Sequence, residues 1–74
     1  MENKKIKAVV EQCGDGGFAA WSDAVPGVYG NGESEEEVRN EFLTMMAEQA
    51  AYMEEHSGVA PDFKAAEVEF LSCH

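Results

Sequence analysis

Between Ser34 and Gly58 the chain is built to form one long helix, and that segment limits what the rest of a 74-residue protein can become. Ser34 can cap the first turn, and Glu37 three residues on completes a capping box. Glu33, Glu35, Glu36 and Glu37 crowd the positive end of the helix dipole, where carboxylates stabilise. At 100° per residue, Val38, Phe42, Met45, Met46, Gln49, Tyr52 and Met53 fall on one continuous arc, which predicts an amphipathic helix packed on a core. Gly58 is a natural C-terminal stop and Pro61 cannot continue the helix, so it is expected from about Glu35 to His56.

The flanking segments alternate with the two-residue period of strands. Ile6, Ala8 and Val10 share one face of a first strand, Ile6–Gln12, and Lys7, Val9 and Glu11 share the other. Cys13-Gly14-Asp15-Gly16-Gly17 can reverse the chain, and Phe18–Ser22 reads as the returning strand. Val25-Pro26-Gly27-Val28 fits a type II turn, followed by a short third strand Val28–Gly30 that ends in Asn31-Gly32. After the helix and a loop, Ala66–Leu71 alternates again, with Ala66, Val68 and Phe70 inward. The expected fold is one α+β domain over residues 1–74, in the order β-β-β-α-β. Three strands form an antiparallel meander, one helix packs across it, and the last strand can run parallel to the first.

A chain of this size buries only about 60% of the surface its unfolded form exposes, so self-association would supplement its core. Five Lys and Arg against fifteen Asp and Glu give a formal net charge of −10, which repels phosphate backbones and argues against direct nucleic-acid binding. Cys13 and Cys73 form no spaced framework, and the apolar run Ala8-Val9-Val10 is too short for a leader peptide or a membrane span. These features lead to the expectation of a cytoplasmic protein with no membrane association.

Several groupings have the residue types of a chemical site. Gly30-Asn31-Gly32 before a helix suggests a phosphate cradle, but Glu35 stands where the third glycine belongs and four glutamates crowd the site, so a strand-to-helix turn is expected. Cys13, His56, Cys73 and His74 match no closed metal motif, and a Cys–His nucleophile would lack an orienting third group. Glu11, Asp15 and Asp23 lack paired spacing and read as solvated strand-end residues. No catalytic residue, cofactor or metal is therefore expected. Two surfaces suggest partners instead. Val9 and Trp21 share the sheet face that a single helix cannot cover, an apolar patch that another chain would hide. Glu37, Glu41, Glu48 and Glu55 form a stripe of one sign along the helix, which favours a basic partner.

With these residues placed, the chain resembles the HicB-type antitoxin family over about Lys4 to Leu71. The likeness rests on Ile6-Lys7-Ala8-Val9-Val10-Glu11, Asp15-Gly16-Gly17-Phe18-Ala19-Ala20-Trp21, Val25-Pro26-Gly27-Val28 and Gly32-Glu33-Ser34-Glu35-Glu36-Glu37-Val38. The resemblance implies a partial ribonuclease-H-like fold, dimers or higher assemblies, and neutralisation of a small basic HicA-type toxin that cleaves messenger RNA by covering its active site. On this likeness Gly17, Pro26, Gly27, Gly32, Ser34 and Glu37 are structural and none is catalytic. Family members commonly add a C-terminal DNA-binding segment, whereas here Cys73-His74 follows the last strand, so direct operator binding is not expected. The family's Asp before Pro-Gly stands two residues upstream, and Asp23 stands three. The alternatives are an orphan homo-oligomeric domain with another partner or ligand, and a degenerate nuclease.

Overall fold

A computed structural model describes residues 5–73. Its elements run β1 (Lys5–Gln12), β2 (Phe18–Trp21), β3 (Tyr29–Gly32), α1 (Glu35–Ser57), a 3-10 turn (Asp62–Ala65) and β4 (Glu67–Cys73). The four strands form one mixed sheet in the order β3-β2-β1-β4, with α1 crossing one side. β1 pairs antiparallel with β2 and parallel with β4, and β2 pairs antiparallel with β3. The β-β-β-α-β order and the parallel last strand are those expected from the alternation and the helical crossover. β3 starts one residue later than the sequence predicts and ends two later, taking in Asn31 and Gly32. The 3-10 turn, expected as loop, seats Phe63 in the core at 5% exposure.

The core follows from the strand register. Val10 pairs with Ala20 and Ala20 with Gly30, so β1, β2 and β3 turn the same phase of the pleat toward α1. On β1 that phase is Ile6, Ala8 and Val10, all buried, and on β4 it includes Val68 and Phe70. From α1 come Val38, Phe42, Met46 and Ala50. The Phe42 ring is fully enclosed and meets Phe70 edge-on at 5.8 Å between centroids. Val25 and Val28, the ends of the turn before β3, close the same cluster; Gly27 has φ of 86°, the left-handed value a type II turn requires.

One helical expectation is corrected. Tyr52 is 59% exposed and Met53 37%, so neither belongs to the core arc. The buried row steps four residues at a time, and each step advances about 40° around the helix axis. By the last turns the side facing the sheet has rotated well away from Tyr52. A helix of 23 residues is also about 35 Å long and runs antiparallel along β3, with Val38 over Gly32 and Phe42 over Gly30, whereas the eight residues of β1 span only about 26 Å, so its end outruns the layer beneath.

Both helix ends are closed as the sequence predicts. The Glu37 N–H donates to Ser34 Oγ at 3.1 Å, and the Glu37 carboxylate reaches back to the Glu33 N–H at 3.3 Å. At the other end Gly58, with φ of 76°, donates its N–H to the Glu54 carbonyl at 2.8 Å. Lys64 from the 3-10 turn pairs with Glu54 and ties that end to the following segment.

Candidate functional site

The face of the sheet away from α1 carries the first candidate surface. Tyr29 pairs with Trp21, Trp21 with Val9, and Val9 with Leu71, so one residue from each strand joins a single row across the whole sheet. Trp21 and Tyr29 stack with centroids 6.3 Å apart and planes 12° from parallel. Val9 and Trp21 are half-buried by their neighbours, while Tyr29 and Leu71 are 52% and 41% exposed. Sequence reading found the middle of this row and missed its ends. Tyr29 was readable only as part of a short strand, and Leu71 joins the row only through the parallel register of β4. Ala19, on the same face, is 2% exposed because the larger Glu11 and Asn31 stand beside it across the ladder.

Charged residues flank the row on one side. Lys5 pairs with Glu67 and Lys7 with Glu69, cation on β1 and carboxylate on β4 in both cases. Lys5 Nζ lies 4.0 Å from Glu69 Oε2, an exposed pair of little energetic weight.

The second candidate surface is the outer side of α1. Glu37, Glu41, Glu48 and Glu55 are all exposed, although the Glu37 carboxylate is engaged in the capping box and is less available to a partner. Tyr52 borders the stripe, one turn beyond Glu48, and its ring meets His56 at 4.1 Å between centroids. Arg39, the one cation of α1, turns toward β4: its guanidinium lies 3.3 Å from Glu35 Oε2 and 5.9 Å from the Phe70 ring centroid. It therefore lies off the glutamate stripe, which leaves that side of the helix acidic.

Gly30 and Gly32 have a role that sequence reading missed. Gly30 lies in β3 as expected and Gly32 lies there too, not in the turn after it, and the two set the spacing between helix and sheet. A Cβ on Gly32 would come within 2.8 Å of the Val38 backbone nitrogen, and one on Gly30 within 3.0 Å of that of Phe42. At Gly32 only hydrogen fits between β3 and α1, and at Gly30 a methyl would press directly on the helix backbone.

The other groupings stay apart. Asp15 Oδ1 accepts the Gly17 N–H at 3.0 Å, and the Gly17 carbonyl accepts the Cys13 N–H at 2.7 Å, so both Asp15 and Gly17 serve the β1–β2 turn. Glu11 faces Ala19 across the ladder, and Asp23 lies four residues further along, roughly 13 Å at strand spacing. These carboxylates share no site. Cys13 sits at the β1–β2 turn and His56 in the last turn of α1, and among the described residues no three His, Cys, Asp or Glu converge on a point. His74 lies outside the described residues. An open cleft of about 320 Å³ between the β1–β2 turn and the end of β3 is lined by Cys13, Asp15, Phe18, Asn31 and Glu33 among others, and its two carboxylates disfavour anions. No helix among the described residues is long and apolar enough to cross a membrane.

Ser22, which sequence reading placed in β2 without a role, is 6% exposed just after that strand. Its Oγ donates to the Lys7 carbonyl at 2.6 Å and accepts the Ala24 N–H at 3.2 Å, so it fastens the end of β2 to β1. No family model, curated protein or solved structure matches the chain.

Proposed function

We propose that this domain is a protein-binding module of the HicB antitoxin kind, which neutralises a small basic HicA-type toxin by covering the surface that cleaves messenger RNA. The observation that carries this reading is the outer side of α1: a stripe of glutamates of one sign, with the helix's only arginine lying off the stripe toward β4 and Tyr52 exposed at its border. Carboxylates beside an aromatic ring suit a surface rich in Lys and Arg, because the ring face attracts a cation while the carboxylates steer it. The element order and the turn and cap residues that carry the family likeness support the same reading. The separation of Glu11, Asp15 and Asp23 supports a binding role over a nuclease one.

The test is functional. A short basic reading frame beside the gene is expressed alone and together with this chain. Growth arrest by the first, relieved by the second with recovery of an intact complex, is the expected result. Failure of this chain to bind such a product, or RNA cleavage by the purified chain that Asp15→Asn or Asp23→Asn abolishes, would overturn the reading.

A further inference from the structure

We propose that the free edge of β4 and the flank of α1 beside it form a groove that takes up an extended segment of a partner protein, in which basic and apolar residues alternate, as an added strand. The groove follows from how α1 sits on the sheet. The helix rests on β3 and β2, and its contacts thin out toward β1. It reaches β4 through long side chains: Phe42 and Arg39 lie against Phe70, and the Ser72 hydroxyl donates to Glu35 Oε1 at 3.4 Å. Val68 and Phe70 point to the helix side, yet both stay half-buried, whereas Ile6 and Ala8 beside them on β1 are 4% and 0% exposed. Leu43, one turn beyond Arg39 on the same flank, is 40% exposed. Leu43 is thus one wall of the groove and Val68 and Phe70 its floor. The opposite side is open, because among the described residues β4 pairs on one side alone, with β1.

An edge strand offers a row of N–H and C=O groups to any extended backbone, and proteins commonly blunt such edges by shortness, proline or a bulge. β3, at the other edge, is short, with four residues of which two are glycine. β4 has seven residues and neither proline nor glycine. A strand added there draws its affinity from main-chain hydrogen bonds and its specificity from alternate side chains. Those turned toward the helix lie over Val68 and Phe70 and against Leu43, so they are apolar. Those on the other face stand beside Glu67 and Glu69, so they are Lys or Arg, because opposite charges across a ladder stabilise and like charges do not. The same two carboxylates disfavour a second copy of this chain. Antiparallel self-pairing about Val68 or Glu69 sets carboxylate against carboxylate, between molecules that each carry a net charge of −10.

The groove is distinct from the glutamate stripe. At about 100° per residue, Leu43 stands about 160° around the helix from Glu41, so both surfaces can be occupied together, and the proposal does not rest on the antitoxin reading. Seven residues of β4 span about 23 Å, which a partner segment of about seven residues covers. Because main-chain hydrogen bonds supply the affinity, the contact does not need the broad area by which two folded surfaces hold each other.

The probe is a short end-blocked peptide that alternates lysine and valine, titrated into the protein while backbone amide resonances and hydrogen exchange are followed. The expected result is that amides of β4 shift and gain protection. N-methylation of the peptide throughout, or glutamate in place of its lysines, should each weaken binding at least about tenfold. Leu43→Lys should weaken it similarly with an unchanged far-ultraviolet spectrum, and the double variant Glu67→Gln, Glu69→Gln should narrow the preference for lysine over glutamate. Glu41→Lys with Glu48→Lys should change binding little at about 0.15 M salt, where exposed charges more than about 8 Å apart are largely screened. Equal binding of the methylated peptide, shifts confined to the outer side of α1, or no binding by about 1 mM peptide would overturn the proposal. So would protection of β4 that rises with protein concentration alone, which would put a second copy on the edge. Loss of peptide binding with a basic toxin still held at the helix would leave the functional reading standing, and the reverse would leave this one.

Discussion

At the scale of the residue, the tightest constraint lies where there is no side chain. Gly32→Ala places a methyl 2.8 Å from the Val38 nitrogen and 3.1 Å from the Glu37 carbonyl carbon, backbone atoms fixed by the capped first turn. The helix must lift, and the expected loss is about 1–3 kcal/mol, read as a lower denaturant midpoint with the slope unchanged. Phe42→Ala empties the centre of the core and should cost about 3–5 kcal/mol, comparable to the whole stability of so small a domain. A thermal melt within a degree or two of wild type would contradict that placement. Phe42 was legible in the sequence because it lies near the middle of the apolar arc. Gly32 was legible only as a glycine of the strand-to-helix junction, since close approach depends on where the helix comes down. Ser22 was opaque for a similar reason: its acceptor, the Lys7 carbonyl, is fifteen residues away and becomes its neighbour only when β1 and β2 pair.

Among the elements, local chemistry determined the ends and tertiary geometry determined the faces. Ser34, Glu37 and Gly58 bound α1 almost where their types predict, because caps are settled within a few residues. Ser34→Ala should therefore cost about 1 kcal/mol, measured as a shift in urea midpoint, and Ser34→Asp should restore most of it. Tyr52 and Met53 were placed inward because a helical wheel averages over the whole length and assumes a fixed buried side. On a helix that outruns its sheet and whose contact line winds around it, that assumption fails in the last two turns. The row across the open face was half legible. Alternation put Val9 and Trp21 on one side, but which residues stand abreast depends on registers that alternation leaves free.

For the molecule as a whole, division of charge is the feature with kinetic consequences. Glu41 and Glu48 are exposed and lie outside the caps, so the double variant Glu41→Lys, Glu48→Lys should stay within about 0.5 kcal/mol per site of wild-type stability. If α1 steers a basic partner, this variant should associate more slowly, and the salt dependence of its association should flatten. Stopped-flow or surface kinetics at about 0.1 and about 1 M salt would show it, and a wild-type rate would make the stripe a solvated face only. The strand order carries a different consequence, one of timing. β1 meets β2 across a short turn, but Ile6 meets Val68 only by closing a loop of about 60 residues. The meander and α1 can collapse on local contacts, so the long closure is expected late, with substitutions in β4 accelerating unfolding and leaving the refolding rate nearly unchanged. Until that closure one edge of β1, which carries Ile6, Ala8, Val9 and Val10, is an open template for stray pairing. A chain so rich in like charge is well protected from its own kind during that interval.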